Sequence, residues 1–214
     1  MKFKAAAFDM DGLMFNTEDI YWKAASALLA RRGKVYTKEL DDAVMGRPSS
    51  DCFKLFKETF GFPETWQELH RESENLFLNF LDDGFSTMPG LYELLDHLEL
   101  RNISKGICTS SAHRVVSEVL RRTDLKHRFD FVLTADDITQ GKPAPDIYLK
   151  AAERFGIAPS EMLVLEDSTA GCTAALHAGA FGIAVLAKHN AHCVFTDAKK
   201  VVAALNAPQI MELF

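Results

Sequence analysis

Phe8-Asp9-Met10-Asp11-Gly12-Leu13-Met14-Phe15-Asn16-Thr17-Glu18 is the stretch from which the rest of the chain is read. The apolar run Ala5 to Phe8 predicts a buried strand. It stops at two carboxylates set two residues apart, and a glycine then turns the chain away. Side chains alternate along a strand, so Asp9 and Asp11 would share a direction if the strand continued. The glycine leaves both near the carboxyl end of the strand, where open α/β sheets place their ligands. Two like charges this close are costly unless a cation or a proton is shared between them. The pair therefore asks for a metal, although taken alone it fits equally well two loop carboxylates capping the next helix.

Beyond the aspartates, Asn16 is the expected cap of a helix with Glu18 and Asp19 in its first turn. Ile20, Ala24 and Leu28, with Tyr21, Ala25 and Leu29, recur at helical spacing until Gly33. Three more helices are expected over 37–45, 50–60 and 64–82, and Phe53, Phe56, Trp66 and Phe77 read as their core. Nothing in this block alternates like a strand, so residues 16–84 are expected to form an inserted all-helical cap. From Met88-Pro89-Gly90 onward the rhythm changes. Helices over 91–100, 113–122, 145–155 and 169–178 alternate with strands over 103–108, 129–133, 162–165 and 181–186. A final helix is expected over 196–205, packed on the sheet. Such alternation predicts a parallel sheet covered on both faces. The fold class is α/β, a Rossmann-like three-layer α/β/α core formed by residues 1–15 and 85–214. Hinges to the cap are expected near 15–17 and 84–89.

Composition narrows the function. The 214 residues are 48% hydrophobic and 25% charged, with a formal net charge of -6. A mild acidic balance without a basic tract argues against nucleic acid or an anionic membrane as the main partner. The apolar run at the start is too short for a signal peptide, and no segment approaches the roughly 18 apolar residues of a membrane span. Cys52, Cys108, Cys172 and Cys193 form no C-x-x-C pair and read as reduced thiols of a cytosolic protein, so the cytoplasm is the expected location, and a monomer is expected.

In this reading three strand ends carry polar chemistry: Asp9 and Asp11, Thr109 and Ser110, and Glu166 and Asp167. A fourth piece, Gly141-Lys142-Pro143-Ala144-Pro145-Asp146, sets a lysine in a loop stiffened by prolines. Parallel strands gather these ends at one edge. Four carboxylates, two hydroxyls and one ammonium suit a hard divalent cation beside a phosphoryl group.

Asp9-Met10-Asp11-Gly12, Thr109, Lys142 and Glu166-Asp167, in that order, resemble the four motifs of the haloacid dehalogenase-like superfamily. Within it the chain is similar to the phosphatase and β-phosphoglucomutase branch, which carries a helical cap after the first motif. The resemblance implies a magnesium-dependent phosphatase acting on a small phosphorylated metabolite: a sugar phosphate, a phosphoglycolate-like acid or a nucleoside monophosphate. It implies Asp9 as the nucleophile that becomes an aspartyl-phosphate and Asp11 as the general acid and base. It also implies Thr109, the Ser110 backbone and Lys142 as phosphate-binding groups. Mg2+ would lie on the Asp9 carboxylate, the Asp11 carbonyl and Asp167, with Glu166 close by or bridged through water. Arg47, in Gly46-Arg47-Pro48-Ser49-Ser50, resembles part of a substrate-specificity loop, beside the plainer reading of a surface arginine at a helix end.

Two departures separate phosphatase from mutase. Where β-phosphoglucomutases carry a histidine in the first cap helix, this chain has Tyr21. Where they carry a lysine after the second-motif serines, it reads Ser110-Ser111-Ala112-His113. Both favour water as the phosphoryl acceptor and leave the mutase as the alternative. A phospho-receiver domain uses similar groups but is about half this length, with its phosphorylated aspartate on a middle strand. His189-x-x-His192-Cys193 lacks a fourth ligand by spacing and is not read as a zinc site.

Overall fold

The fold follows from where the apolar runs find partners. The computed structural model describes residues 3–44 and 48–214; Arg47, named above for substrate specificity, lies outside them. Six strands make one parallel sheet: β1 (Ala5–Phe8), β2 (Ser104–Cys108), β3 (Phe131–Leu133), β4 (Met162–Glu166), β5 (Phe181–Val185) and β6 (Lys200–Val202). Their order is β3-β2-β1-β4-β5-β6, and every pair is parallel. The first strand is therefore central, flanked by β2 and β4, and the chain reverses its direction of winding on either side of it. That reversal opens a crevice beyond the carboxyl ends of the strands.

Alternation sorts the sheet residues onto two faces. Ala7, Cys108, Leu133, Met162 and Val164 cluster with Ile147, Tyr148, Ala151 and Ala152 of α7 (Asp146–Phe155) and with Ala174, Ala175 and Ala178 of α8 (Thr169–Ala178). Phe8, Ile107 and Leu165 share one register row and point the other way, yet they too are fully buried. Both faces are covered, as strands that are apolar on both sides require. The core unit also contains α5 (Leu91–Leu100), α6 (His113–Thr123) and the short α9 (Pro208–Met211). Small residues set the spacing: a Cβ on Gly106 of β2 would lie 2.4 Å from the ring of Phe131.

The chain forms two compact units, Thr17–Phe85 and the remainder. The smaller unit holds α1 (Glu18–Ala30), α2 (Lys38–Val44), α3 (Ser49–Phe60) and α4 (Trp66–Phe80). Its interior is aromatic: Phe53, Phe56 and Phe77 are buried, and the rings of Tyr21 and Phe77 lie 4.4 Å apart. Helix α4 starts at a reciprocal cap in which Thr65 accepts from the Glu68 N–H and Glu68 accepts from the Thr65 N–H. The ends of the core segments that lead into this unit are hydrogen-bonded side by side, Asn16 N–H to Ser86 O at 3.0 Å and Met88 N–H to Met14 O at 2.8 Å.

Two expectations are corrected here. Asn16 does not cap α1; its side-chain oxygen accepts from the Ser86 N–H at 2.6 Å, and Thr17 stands at the cap position, its side chain making no capping bond to the first turn. The returning segment, distant in sequence, outcompetes the local partner. The stretch 196–205 is not a helix. Lys200–Val202 forms β6 against β5, with Lys199 N–H bonded to Gly182 O and Leu186 N–H to Val202 O, both at 2.8 Å. Short apolar runs fit either periodicity, and the unpaired edge of β5 decides between them.

A strand and a helix make different demands at this edge. Val202 is buried and Val201 is half exposed. Val202→Asp is expected to cost about 2 kcal/mol or more, whereas Val201→Asp should stay within about 0.5 kcal/mol. Urea unfolding of the two variants checks this, and equal losses would contradict the alternation.

Candidate active site

The carboxyl edge of the sheet is built around one lysine. Lys142, in the loop before α7, is buried, and its Nζ donates to Asp9 Oδ1 at 2.5 Å, to Glu166 Oε1 at 2.5 Å and to the Cys108 carbonyl at 3.0 Å. An ammonium has three donors, and each meets an acceptor at the end of a different strand: β1, β4 and β2. Burial alone would lower the pKa of Lys142, but Asp9 and Glu166 outweigh it and raise the value above the ordinary one. The lysine is charged here.

Glu166, the last residue of β4, is fully buried. Its Oε1 also accepts from the Tyr148 hydroxyl of α7, and its Oε2 accepts from the Ser168 hydroxyl at 2.9 Å and the Ser168 N–H at 3.3 Å. The Ser168 hydroxyl in turn accepts from the Gly171 N–H, so it caps α8 while holding the glutamate. Both Glu166 oxygens are thus engaged by protein donors. Burial, with the Glu166 charge next, pushes the Tyr148 phenol well above its usual pKa and keeps it a donor.

Asp11 sits at the rim, half-buried. Its Oδ2 accepts from the Ser111 hydroxyl at 2.6 Å and from the Thr109 hydroxyl at 3.3 Å, while Thr109 Oγ1 accepts from the Ser111 N–H at 3.1 Å. Gly12 turns the chain immediately after the two aspartates with φ +77°. A Cβ there would stand 2.2 Å from Asp167 Oδ2 and 2.9 Å from His189 Nε2. Glycine is required both by its backbone angle and by this close approach.

Asp9, Glu166 and Asp167 bring carboxylate oxygens within 4.8 Å of one another. Burial is the main reason that Asp9 and Asp167 are pushed well above the carboxylate range. Lys142 opposes the rise at both, and the charge of Glu166 adds to it at both. Three buried carboxylates facing one ammonium lack positive charge, and all the donor atoms are hard oxygens. That donor set fits a divalent cation of the magnesium type.

The structure thus brings Asp9, Asp11, Thr109, Lys142, Glu166 and Asp167 to one place, with Ser110 exposed beside Thr109. Four further groups were not picked out from the sequence: Ser111 on Asp11, Tyr148 and Ser168 on Glu166, and Asn190, whose amide donates to the Asp167 carbonyl at 2.8 Å. Ser111 and Ser168 adjoin motif residues, which was their only signal. Tyr148 looks like any apolar helix position, and Asn190 like any loop residue. His189, set aside above with the H-x-x-H-C run, contacts Asp167 Oδ2 at 2.7 Å.

A Rossmann-like sheet with acids at its central strand ends, the buried Lys142 between them and a helical insertion after the first strand defines a class of hydrolytic enzymes. Residues 6–185 match the profile of the haloacid dehalogenase-like hydrolases. The chain is 33% identical to the phosphorylated carbohydrates phosphatase of Thermotoga maritima over 180 residues, 82% of each chain. It is 35% identical to the (DL)-glycerol-3-phosphatase 2 of Arabidopsis thaliana, over 80% of this chain and 75% of that protein. Among solved structures, a family IA, variant 3 hydrolase from Entamoeba histolytica superposes with a TM-score of 0.86 at 24% identity, covering 100% of this chain and 99% of that one. The chain belongs to the haloacid dehalogenase-like hydrolase family.

Gly171 tests the support of the site. A Cβ there would fall 1.9 Å from the Glu166 carboxyl group, which Lys142 and Ser168 hold in place. Gly171→Ala is expected to lose about 1–3 kcal/mol of stability and most activity. Gly141→Ala, with open space at its Cβ position, should be near neutral in melting temperature.

Proposed function

We propose that the protein is a magnesium-dependent phosphomonoesterase that hydrolyses a small phosphorylated metabolite through an aspartyl-phosphate on Asp9. The observation that carries the reading is the pairing of two differently held aspartates two residues apart. Asp9 is buried and locked through Oδ1 to Lys142, while Asp11 is at the rim on hydroxyl donors. The difference supports Asp9 as the nucleophile and Asp11 as the proton carrier.

Asp9 attacks phosphorus, and the bond from phosphorus to the ester oxygen breaks as the new one forms. Asp11 gives its proton to the departing alkoxide. Water then attacks the phosphorus of the aspartyl-phosphate, Asp11 takes a proton from it, and Asp9 leaves as a carboxylate with release of inorganic phosphate. Thr109, the Ser110 backbone and Lys142 stabilise the charge on the phosphoryl oxygens. Asp9, Asp167 and the Asp11 carbonyl are the groups that would hold the cation, with Glu166 behind them as the anchor of Lys142. A bound divalent ion supplies the positive charge that lets an anionic nucleophile approach an anionic phosphate.

The substrate class is a sugar or polyol phosphate or a similarly small ester, in keeping with the phosphatases of phosphorylated carbohydrates and glycerol-3-phosphate to which the chain is similar. Tyr21 supports hydrolysis over a mutase role, because its ring packs at a tilt against Phe77, 4.4 Å between centroids. Among the described residues no helix is long and apolar enough to cross a membrane. A cytoplasmic monomer is the form we propose.

Purified protein with Mg2+ and a panel of phosphate esters is expected to release inorganic phosphate, and chelation should abolish the release. Asp9→Asn should reduce kcat by at least about a thousandfold. Retention of most activity would overturn the mechanism. Hexose-phosphate isomerisation dependent on a bisphosphate, without phosphate release, would replace hydrolysis by the mutase reaction.

A further inference from the structure

His189 lies in the segment after β5, a run of sequence that the catalytic reading leaves without a role. Its Nε2 is 2.7 Å from Asp167 Oδ2, and its side chain is about one-fifth exposed. The placement is built rather than incidental. The next residue, Asn190, is 1% exposed, and its amide nitrogen donates to the Asp167 carbonyl at 2.8 Å and the Val185 carbonyl at 3.0 Å. Its side-chain oxygen accepts from the Ala187 N–H at 2.7 Å, which closes the loop on itself. Asp167 is thus gripped twice by consecutive residues, at the main chain by Asn190 and at the carboxylate by His189. Gly12 keeps the third side of the same carboxylate open, since a Cβ there would overlap both Asp167 and His189.

We propose that His189 is a positioning residue for the cation site, holding the Asp167 carboxylate in the orientation in which it receives a divalent ion. This rests on the proposed dependence on a divalent cation. His189 stands outside the trio Asp9, Glu166 and Asp167 whose oxygens converge within 4.8 Å, so it acts on a ligand rather than as one. Toward an ionised Asp167, which can only accept, Nε2 carries the proton and donates. A carboxylate held in this way loses less rotational freedom when the ion binds, and outer partners of metal ligands commonly account for about 10- to 100-fold in affinity. The neighbouring His192 is exposed, and its Nε2 is 3.8 Å from Cys193 Sγ.

Titration of the full chain with Mg2+ by calorimetry, without substrate, tests this directly. His189→Ala is expected to weaken Mg2+ binding by about 10- to 100-fold, with a matching loss of the Mg2+-induced rise in melting temperature. His189→Gln, whose amide can donate from a similar position, should recover most of the affinity, and His192→Ala should bind as the parent chain does. Parent-like affinity in a folded His189→Ala would overturn the proposal while leaving the phosphatase reading intact. Equal losses in His189→Ala and His192→Ala would also overturn it, because the loop rather than the imidazole would then matter. A parent chain that binds no Mg2+ would sink both.

Discussion

Everything at the carboxyl edge depends on the ammonium of Lys142 sitting between Asp9 and Glu166. A lone charge in this interior would be prohibitive, and each of the three groups tolerates burial because of the other two. Removing one partner of such a buried set typically costs about 3–5 kcal/mol, because an uncompensated charge is left behind. The arrangement also ties together elements far apart in sequence. Asp9 directly follows β1, Glu166 ends β4, Cys108 ends β2, and the lysine comes from the loop ahead of α7. A carboxylate anchored in this way has one oxygen committed and little freedom to wander, so its orientation is fixed before any ligand arrives.

Charge balance explains why the site is receptive to a cation. Lys142 offsets one negative charge of a group that includes Asp9, Glu166 and Asp167, and burial first, with the charge of Glu166 adding to it, drives the Asp9 and Asp167 carboxyls well above their usual pKa. Glu166 is satisfied wholly by protein donors, so the demand falls on Asp9 and Asp167. The glycines serve the same end. Gly12 and Gly171 each give a carboxylate room that a methyl group would take. Both are therefore part of the site, although neither carries any chemistry.

Much of this was legible in the chain because the chemistry is carried by short runs that follow apolar strands. Asp9, Asp11, Thr109, Lys142, Glu166 and Asp167 announce themselves by residue type and by the strand or loop before them. Ser111, Tyr148, Asn190 and His189 do not. Their roles arise from hydrogen bonds between segments between 18 and 100 residues apart, and local pattern carries no trace of such pairings. The same reason accounts for Asn16, claimed by Ser86 rather than by its own helix, and for residues 200–202, where the edge of β5 converts an ambiguous run into a strand.

The sequence by itself determined the class of fold, the helical block between the first strand and the rest, and the set of groups available for phosphoryl chemistry. These are properties of periodicity and residue type, which act over a few residues. Only the tertiary structure decided which carboxylate is locked and which is held at the rim, that Glu166 faces the lysine with both oxygens occupied, and that a loop histidine contacts Asp167. Those outcomes depend on where strand ends from distant parts of the chain meet, and on which donors are left over once the sheet has paired.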